Sequence, residues 1–188
     1  MGKGHSRGAT HDHDHAAAHH HSHGHAGHAD GCAHATERAL QAPAALARAE
    51  RLCRERGVRL TDLRRSVLEA LYETHRPLGA YDLAEALAAR TGRRVAPITV
   101  YRVLEFLTEQ GFVHRLVTRN AFIACPHDHC DGEVTMFLIC TRCGGVDEVE
   151  SSGINAAIGD ALQRSGFRPS AKIVEIDGTC AHCQLAAT

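Results

Sequence analysis

Two pairs of closely spaced cysteines are the residues whose types and spacing most clearly indicate chemistry. Cys140 and Cys143 form one C-x-x-C turn, and Cys180 and Cys183 form a second after a gap of 36 residues. Each turn directs two thiolates towards one ion, so together they predict a closed four-sulfur shell for structural zinc. Disulfide bonds and a redox pair are the alternatives. Because the N-terminus lacks the apolar core of a secretory signal and no βαβ pattern accompanies a lone pair, zinc is the favoured interpretation.

The residues around the cysteine pairs predict a small α/β domain. Strand patterns precede the first pair at 135–139, follow it at 146–150 and precede the second pair at 172–177. Between the last two strands, apolar residues recur at helical spacing from Ile154 to Leu162, and Gly166 ends the pattern. A bound ion would therefore tie together the two ends of this domain, and its binding free energy would be folding free energy.

The preceding part of the chain predicts a winged helix-turn-helix. Helical patterns cover about 44–56, 62–74, 81–90 and 97–110, and β-rich runs follow at 112–117 and 121–125. Thr61 is a suitable N-cap for the second helix, and Pro97 suits the first turn of the fourth. The expected fold is α+β, with a winged-helix domain at 43–125 and a metal-binding domain at 126–188.

The N-terminal segment 1–42 predicts a disordered, histidine-rich tail. Eleven of the sixteen histidines lie between His5 and His34, among glycine, alanine, serine and aspartate. Such a segment lacks the apolar periodicity of a packed element, although its histidines can bind zinc, copper or nickel loosely. A passive tail is the equally weighted alternative.

Charge is distributed unevenly although the net charge is only −1. Residues 46–120 carry fourteen arginines against nine acidic residues, whereas residues 121–188 carry four basic and nine acidic residues. The middle of the chain thus has the sign that phosphate attracts, and the last third the sign that cations attract. No stretch is long and apolar enough for a membrane span.

Several motifs resemble the Fur (ferric uptake regulator) family, closest to its zinc-sensing branch, over about residues 46–185. They are Arg59-Leu60-Thr61, Ala80-Tyr81-Asp82-Leu83, Thr99-Val100-Tyr101-Arg102-Val103-Leu104, Gly111-Phe112-Val113-His114 and Phe137-Leu138-Ile139-Cys140. The resemblance implies a cytoplasmic homodimer with a winged-helix DNA-binding domain and a C-terminal dimerisation domain. It also implies zinc-responsive repression of zinc uptake genes through palindromic, AT-rich operators.

The resemblance assigns DNA contacts to two regions of the winged helix. If the apolar stripe of the fourth helix faces the core, its neighbouring side chains face outward, where arginine can reach a guanine edge and tyrosine a thymine methyl group. The expected DNA-binding residues are Arg64, Arg65, Tyr81, Thr99, Tyr101 and Arg102. The family commonly has Thr-x-Gln-Arg at the start of the second helix, whereas this chain has Leu63 in place of the glutamine.

The resemblance also implies a second, regulatory zinc site between the domains. By motif position its ligands are His114, Cys125 and Glu148, a mixed set whose thiolate favours zinc over iron. The family's zinc branch usually supplies a histidine where this chain has Glu133. Glu133 and His129 are equally favoured as the fourth ligand, with His127 and Cys130 behind them. Two zinc ions per subunit are therefore expected.

Two other functions remain as alternatives. The first is an iron- or peroxide-sensing regulator of the same family, and the second is a zinc storage or chaperone protein that uses the histidines and cysteines. An enzyme is not expected, because the four-cysteine set is closed and the second site offers no evident general base beside an open metal position.

Overall fold

Four helices and a hairpin are followed by a three-stranded sheet with two further helices, which confirms the predicted α+β fold. The computed structural model describes residues 33–126 and 134–186. Its elements are α1 (Ala33–Glu55), α2 (Asp62–Tyr72), α3 (Ala80–Thr91), α4 (Pro97–Glu109), β1 (Val113–Leu116), β2 (Ala121–Ala124), β3 (Thr135–Cys140), β4 (Val146–Val149), α5 (Ser152–Ser165), β5 (Ile173–Gly178) and α6 (Ala181–Leu185). No helix among the described residues is long and apolar enough to cross a membrane.

Capping residues and a proline set the ends of helices α2, α3 and α4. The Thr61 hydroxyl accepts a hydrogen bond from the Arg64 amide at the start of α2, and Pro97 occupies the first turn of α4. Gly92 ends α3 in the left-handed conformation, at φ 67°. The apolar stripes of α2, α3 and α4 meet in one core, in which Leu83, Leu104 and their neighbours are fully buried.

Helix α1 is longer than the sequence predicts, because it begins at Ala33 rather than near residue 44. The assignment of residues 33–42 to a disordered tail is therefore wrong. Polar contacts, not an apolar stripe, fix this part of the helix. The buried Arg38 guanidinium donates to the Ala124 carbonyl at 2.5 Å, and His34 Nε2 lies 3.1 Å from an Asp147 carboxylate oxygen.

The wing is the antiparallel hairpin of β1 and β2, in which Val113 pairs with Ala124 and Leu116 with Ala121. One face of the hairpin packs against the following sheet. Leu116 and Ile123 of the wing share a buried cluster with residues of β3 and β4, including Phe137. This apolar contact joins the two halves of the chain.

The second half is a three-stranded sheet in the order β4-β3-β5. Strand β3 pairs antiparallel with β4 and parallel with β5, and α5 provides the connection between β4 and β5. No residue of α5 is fully buried, and Ile173 and Ile176 of the edge strand β5 are 44% and 45% exposed. This half therefore presents apolar surface that the subunit itself does not cover.

Candidate metal centres and nucleic-acid interface

The four cysteines of the two C-x-x-C turns converge on one point. Cys140 ends β3 and Cys143 lies in the turn after it, while Cys180 is the N-cap of α6 and Cys183 lies in its first turn. The four sulfur atoms lie within 4.8 Å of one another. The Cys143 and Cys180 sulfurs are 4.0 Å apart, and the thiols are not joined as disulfides. Zinc–sulfur bonds of about 2.3 Å in a tetrahedron separate neighbouring sulfurs by about 3.8 Å, so the cluster has suitable dimensions for zinc.

Backbone amides surround these sulfurs with hydrogen-bond donors. The Cys180 amide lies 3.4 Å from the Cys140 sulfur, and the Gly145 amide lies 3.3 Å from the Cys143 sulfur. Burial alone would raise the pKa of Cys140, but hydrogen bonds from the surrounding backbone outweigh it and lower this pKa to about 6. Burial raises the pKa of Cys180. The donors thus favour the thiolate form of Cys140.

The loop between α2 and α3 ties the four-cysteine cluster to the winged helix. The carbonyl oxygen of Cys143 lies 3.1 Å from His75 Nε2 and accepts a hydrogen bond from Arg76 Nε at 2.8 Å. Gly144, at φ 75°, has the side chain of Arg76 against its Cα, where a Cβ would approach to 3.1 Å. The cluster is therefore held at the junction of the two halves.

A second group of potential ligands lies where the wing meets the sheet. His114 comes from β1, Cys125 follows β2 and Glu148 comes from β4, and their ligand atoms lie within 4.8 Å of one another. His114 Nε2 is 3.2 Å from a Glu148 carboxylate oxygen, and the Glu148 side chain is only 5% exposed. The His114 ring also contacts the Phe137 ring, with 5.2 Å between centroids. The three side chains that the resemblance implies thus meet at one place.

The backbone of Cys125 is held by groups that the sequence did not indicate. Its carbonyl oxygen accepts hydrogen bonds from Arg48 Nη2 and from the buried Tyr72 hydroxyl, both at 2.8 Å. Its amide donates to the Phe112 carbonyl at 2.9 Å. Burial raises the pKa of Tyr72, so the phenol remains protonated and able to donate. Helices α1 and α2 therefore fix the position of a potential metal ligand.

The four candidates for a fourth regulatory ligand lie in a part of the chain that the structure does not describe. Glu133, His129, His127 and Cys130 all fall within residues 127–133, outside the described residues. These four assignments stay predictions.

The residues expected to contact DNA divide into two groups. On α4, Thr99 and Arg102 are exposed and Tyr101 is 37% exposed, while Tyr81 at the start of α3 is 66% exposed. Ile98, beside Thr99, is 62% exposed and was not indicated by the sequence motifs. Each residue of this first group is therefore accessible from solvent.

The two arginines of α2 make contacts within the chain. The guanidinium of Arg64 stacks 3.4 Å from the centroid of the Phe106 ring, and that of Arg65 pairs with Glu69 at 2.8 Å and also with Glu50. Such exposed pairs contribute little to stability. Because these pairs are weak and Arg65 is exposed, its guanidinium is more accessible to a phosphate than that of the half-buried Arg64.

Comparison with known proteins gives consistent matches. Residues 55–176 match the Ferric uptake regulator family. The zinc uptake regulation protein of Escherichia coli K12 is 36% identical over 138 residues, which cover 73% of this chain and 80% of that protein. Among solved structures, a zinc uptake regulator complexed with zinc and DNA matches with a TM-score of 0.72 and 34% identity, covering 78% of this chain and 98% of that one. The holo form of XcZur matches with a TM-score of 0.66 and 38% identity, covering 76% and 97%.

Proposed function

The chain belongs to the ferric uptake regulator family, and we propose that it is a zinc-responsive repressor that binds operator DNA and controls zinc uptake genes. The meeting of His114, Cys125 and Glu148 at the junction of the wing and the sheet is the observation that carries the proposal. The similarity to a zinc uptake regulator bound to zinc and DNA supports it. Such a repressor regulates transcription by binding DNA and catalyses no reaction.

The donor set of the mixed site fits zinc. It offers one imidazole nitrogen, one thiolate and one carboxylate, and these are zinc's usual protein ligands. The buried Cys125 sulfur distinguishes the site from the nitrogen and oxygen sites typical of iron, which argues against an iron- or peroxide-sensing function. Glu133 or His129 would complete four-coordination. Together with the four-cysteine cluster, the subunit would hold two zinc ions, one regulatory and one structural.

The position of the mixed site explains how metal supply could control DNA binding. When bound, zinc supplies a single centre that holds a nitrogen, a sulfur and an oxygen ligand at one point. His114 and Cys125 belong to the wing hairpin and its end, whereas Glu148 belongs to the sheet. Holding the three together fixes the DNA-binding head against the second domain. Because operator DNA favours the same arrangement, DNA and metal strengthen each other's binding by the same factor.

The exposed face of α4 would read the operator. Thr99, Tyr101 and Arg102 are exposed in the N-terminal half of α4. In winged-helix proteins the corresponding helix enters the major groove, and its N-terminal residues contact base edges. Tyr81 and Arg65 lie on neighbouring helices and would position phosphates. The excess of arginine over acidic residues in 46–120 supports this orientation.

The second domain, 126–188, would form a homodimer. Strand β5 is an edge strand, so one side of its backbone is unpaired within the sheet. Apolar side chains of β5 and of the turn before it are exposed, including Ile173, Ile176 and the 64% exposed Phe167. A second copy that covers this surface would bring two winged-helix heads, each formed by 43–125, onto a palindrome. DNA binding of this kind would take place in the cytoplasm.

The test of the proposal is operator binding under controlled free zinc. A duplex selected from a random pool by the zinc-loaded protein serves as the probe. Removing a ligand in His114→Ala or Cys125→Ser is expected to abolish the increase in affinity that zinc causes. Cys53→Ser, which alters a buried thiol outside both clusters, is the matched control and is expected to retain the response. An unaltered zinc response in both ligand variants would reject the site.

Deletion of the tail separates the proposal from zinc storage. A chain lacking residues 1–32 is expected to keep its zinc-dependent operator binding, whereas a storage protein would lose most of its zinc capacity and has no need of an operator.

A further inference from the structure

Two carboxylates of β5 hold the tip of the wing. Glu175 accepts hydrogen bonds from the backbone amides of Val117 at 2.6 Å and Thr118 at 3.2 Å, and also from the Thr118 hydroxyl. Asp177, the next residue on the same face of β5, pairs with the Arg119 guanidinium at 2.5 Å. The turn that joins β1 to β2 is thereby attached to the second domain through three consecutive residues.

The donors at this turn are of the kind that also bind phosphate. Adjacent backbone amides, a hydroxyl and an arginine make up the usual set of contacts to a DNA backbone. Each is here satisfied by a carboxylate, and such charge-assisted hydrogen bonds are stronger than neutral ones. The contact therefore either orients the wing or withholds phosphate-binding groups from DNA, and these two functions predict opposite effects of removing it.

The register of the sheet favours orientation. Phe137 on the central strand is paired with Glu148 on β4 and with Glu175 on β5, so the three residues form one row across the sheet. Side chains in one row lie on the same face of a sheet. At one end of this row Glu148 meets His114, and at the other Glu175 holds the wing tip. The proposed metal ligand and the wing contact thus belong to a single row facing the hairpin.

Packing beneath the hairpin argues against release of the tip during DNA binding. Leu116, immediately before the turn, is fully buried in the cluster that includes Phe137. Lifting the tip away from β5 would expose this apolar contact to water, which is unfavourable. The carboxylate contacts and the apolar cluster therefore stabilise the same arrangement of wing and sheet.

We propose that Glu175, assisted by Asp177, is a positioning residue that holds the wing in the arrangement in which zinc and operator DNA bind together. This inference rests on the proposed repressor function. Glu148 would fix the base of the hairpin through the metal, and Glu175 fixes its tip without metal. Both contacts are needed for the wing to transmit metal binding to the DNA-reading head.

Glu175→Gln tests this role, because it removes the charge and keeps the size of the side chain. Asp160→Asn is the matched control, since it removes one negative charge from an exposed position on α5. Operator affinity of the full chain is measured by fluorescence anisotropy with and without zinc. Glu175→Gln is expected to weaken binding of the zinc-loaded protein by about tenfold and to leave the chelated protein unchanged, because only the coupling is lost. Asp160→Asn is expected to change neither.

Hydrogen exchange supplies a readout at the turn itself. The amides of Val117 and Thr118 are expected to exchange faster in Glu175→Gln, while retained four-cysteine zinc shows that the domain is folded. Thr118→Val, which removes only the hydroxyl contact, is expected to weaken zinc-loaded binding by a smaller factor and to have no further effect in the Glu175→Gln background.

Three results would overturn the inference. Tighter operator binding by Glu175→Gln with a steeper salt dependence would mean that the carboxylate withholds phosphate-binding groups. Equal weakening with and without zinc, or no change in either state, would mean that the contact does not serve the coupling. If the unaltered chain itself binds the operator equally well with and without zinc, the proposed repressor function fails instead.

Discussion

Tyr72→Phe isolates the contribution of one buried hydrogen bond to the mixed metal site. The Tyr72 hydroxyl donates to the Cys125 carbonyl at 2.8 Å, and phenylalanine fills the same space without the donor. Arg48 still donates to that carbonyl at 2.8 Å, so the oxygen keeps a partner and the full cost of an unsatisfied group is not incurred. The expected loss in the free energy of unfolding is therefore about 1 kcal/mol, the usual net value of one hydrogen bond.

The same substitution is expected to weaken zinc binding at the mixed site. Groups that orient a metal ligand typically change metal affinity by about 10- to 100-fold, and the remaining Arg48 contact places the expected effect near tenfold. Competition with a chromophoric chelator measures this affinity, and cobalt substitution reports the Cys125 thiolate through its charge-transfer absorption. Urea unfolding of the same preparations measures the stability change.

Tyr81→Phe is the matched control, because Tyr81 is 66% exposed and lies outside both ligand clusters. It is expected to alter neither stability nor chelator competition. If Tyr72→Phe also leaves the zinc affinity and the cobalt spectrum unchanged, the hydroxyl does not position Cys125. A change in stability alone would likewise exclude a positioning role for the hydroxyl.

Three further substitutions test other parts of the molecule. Cys140→Ser is expected to lose the structural zinc and the fold of the second domain, seen as loss of dimer in size-exclusion chromatography at every zinc level; an intact dimer would contradict this. Gly145→Ala is expected to lower stability by about 1–3 kcal/mol in urea unfolding, because its Cβ would lie 2.8 Å from the His34 ring, whereas Gly153→Ala meets only an atom at 4.0 Å and serves as the control. Arg102→Ala is expected to weaken operator binding about 10- to 100-fold in filter binding with the zinc content unchanged, and equal affinity would exclude a base contact.

The spacing of chemically distinctive residues made the four-cysteine cluster predictable. A C-x-x-C turn brings two sulfurs together through local geometry alone, so only the meeting of the two turns depends on the rest of the fold. The apolar stripes of α2, α3 and α4 could also be predicted from the sequence, because their buried leucines and valines recur at helical spacing. Local sequence patterns were sufficient to predict the individual C-x-x-C turns and the helical stripes.

The first turns of α1 could not be predicted in the same way. Pro43 lies inside the helix, and residues 33–42 contain no apolar stripe. Their order depends on distant partners, since Arg38 binds a carbonyl of β2 and His34 binds a side chain of β4. No pattern within a single segment reports such contacts.

The surroundings of the mixed site were hidden for the same reason. His114, Cys125 and Glu148 were indicated by resemblance to a family, whereas Arg48 and Tyr72 had no motif and were found only through their contacts. These contacts join residues separated by 77 and 53 positions in the chain. Sequence patterns identified the candidate ligands, and the fold identified what holds them.

Operator affinity of the chelated and the zinc-replenished chain most directly tests whether the regulatory ion controls DNA binding. The duplex selected by the zinc-loaded protein is titrated at fixed ionic strength across buffered free zinc, with iron(II) and manganese(II) as comparisons. We expect weak binding after removal of the regulatory ion, with the four-cysteine zinc retained, and recovery of tight binding as free zinc rises. Binding that is equally tight in both states, or that recovers with iron(II) and not with zinc, would show that zinc does not control this protein.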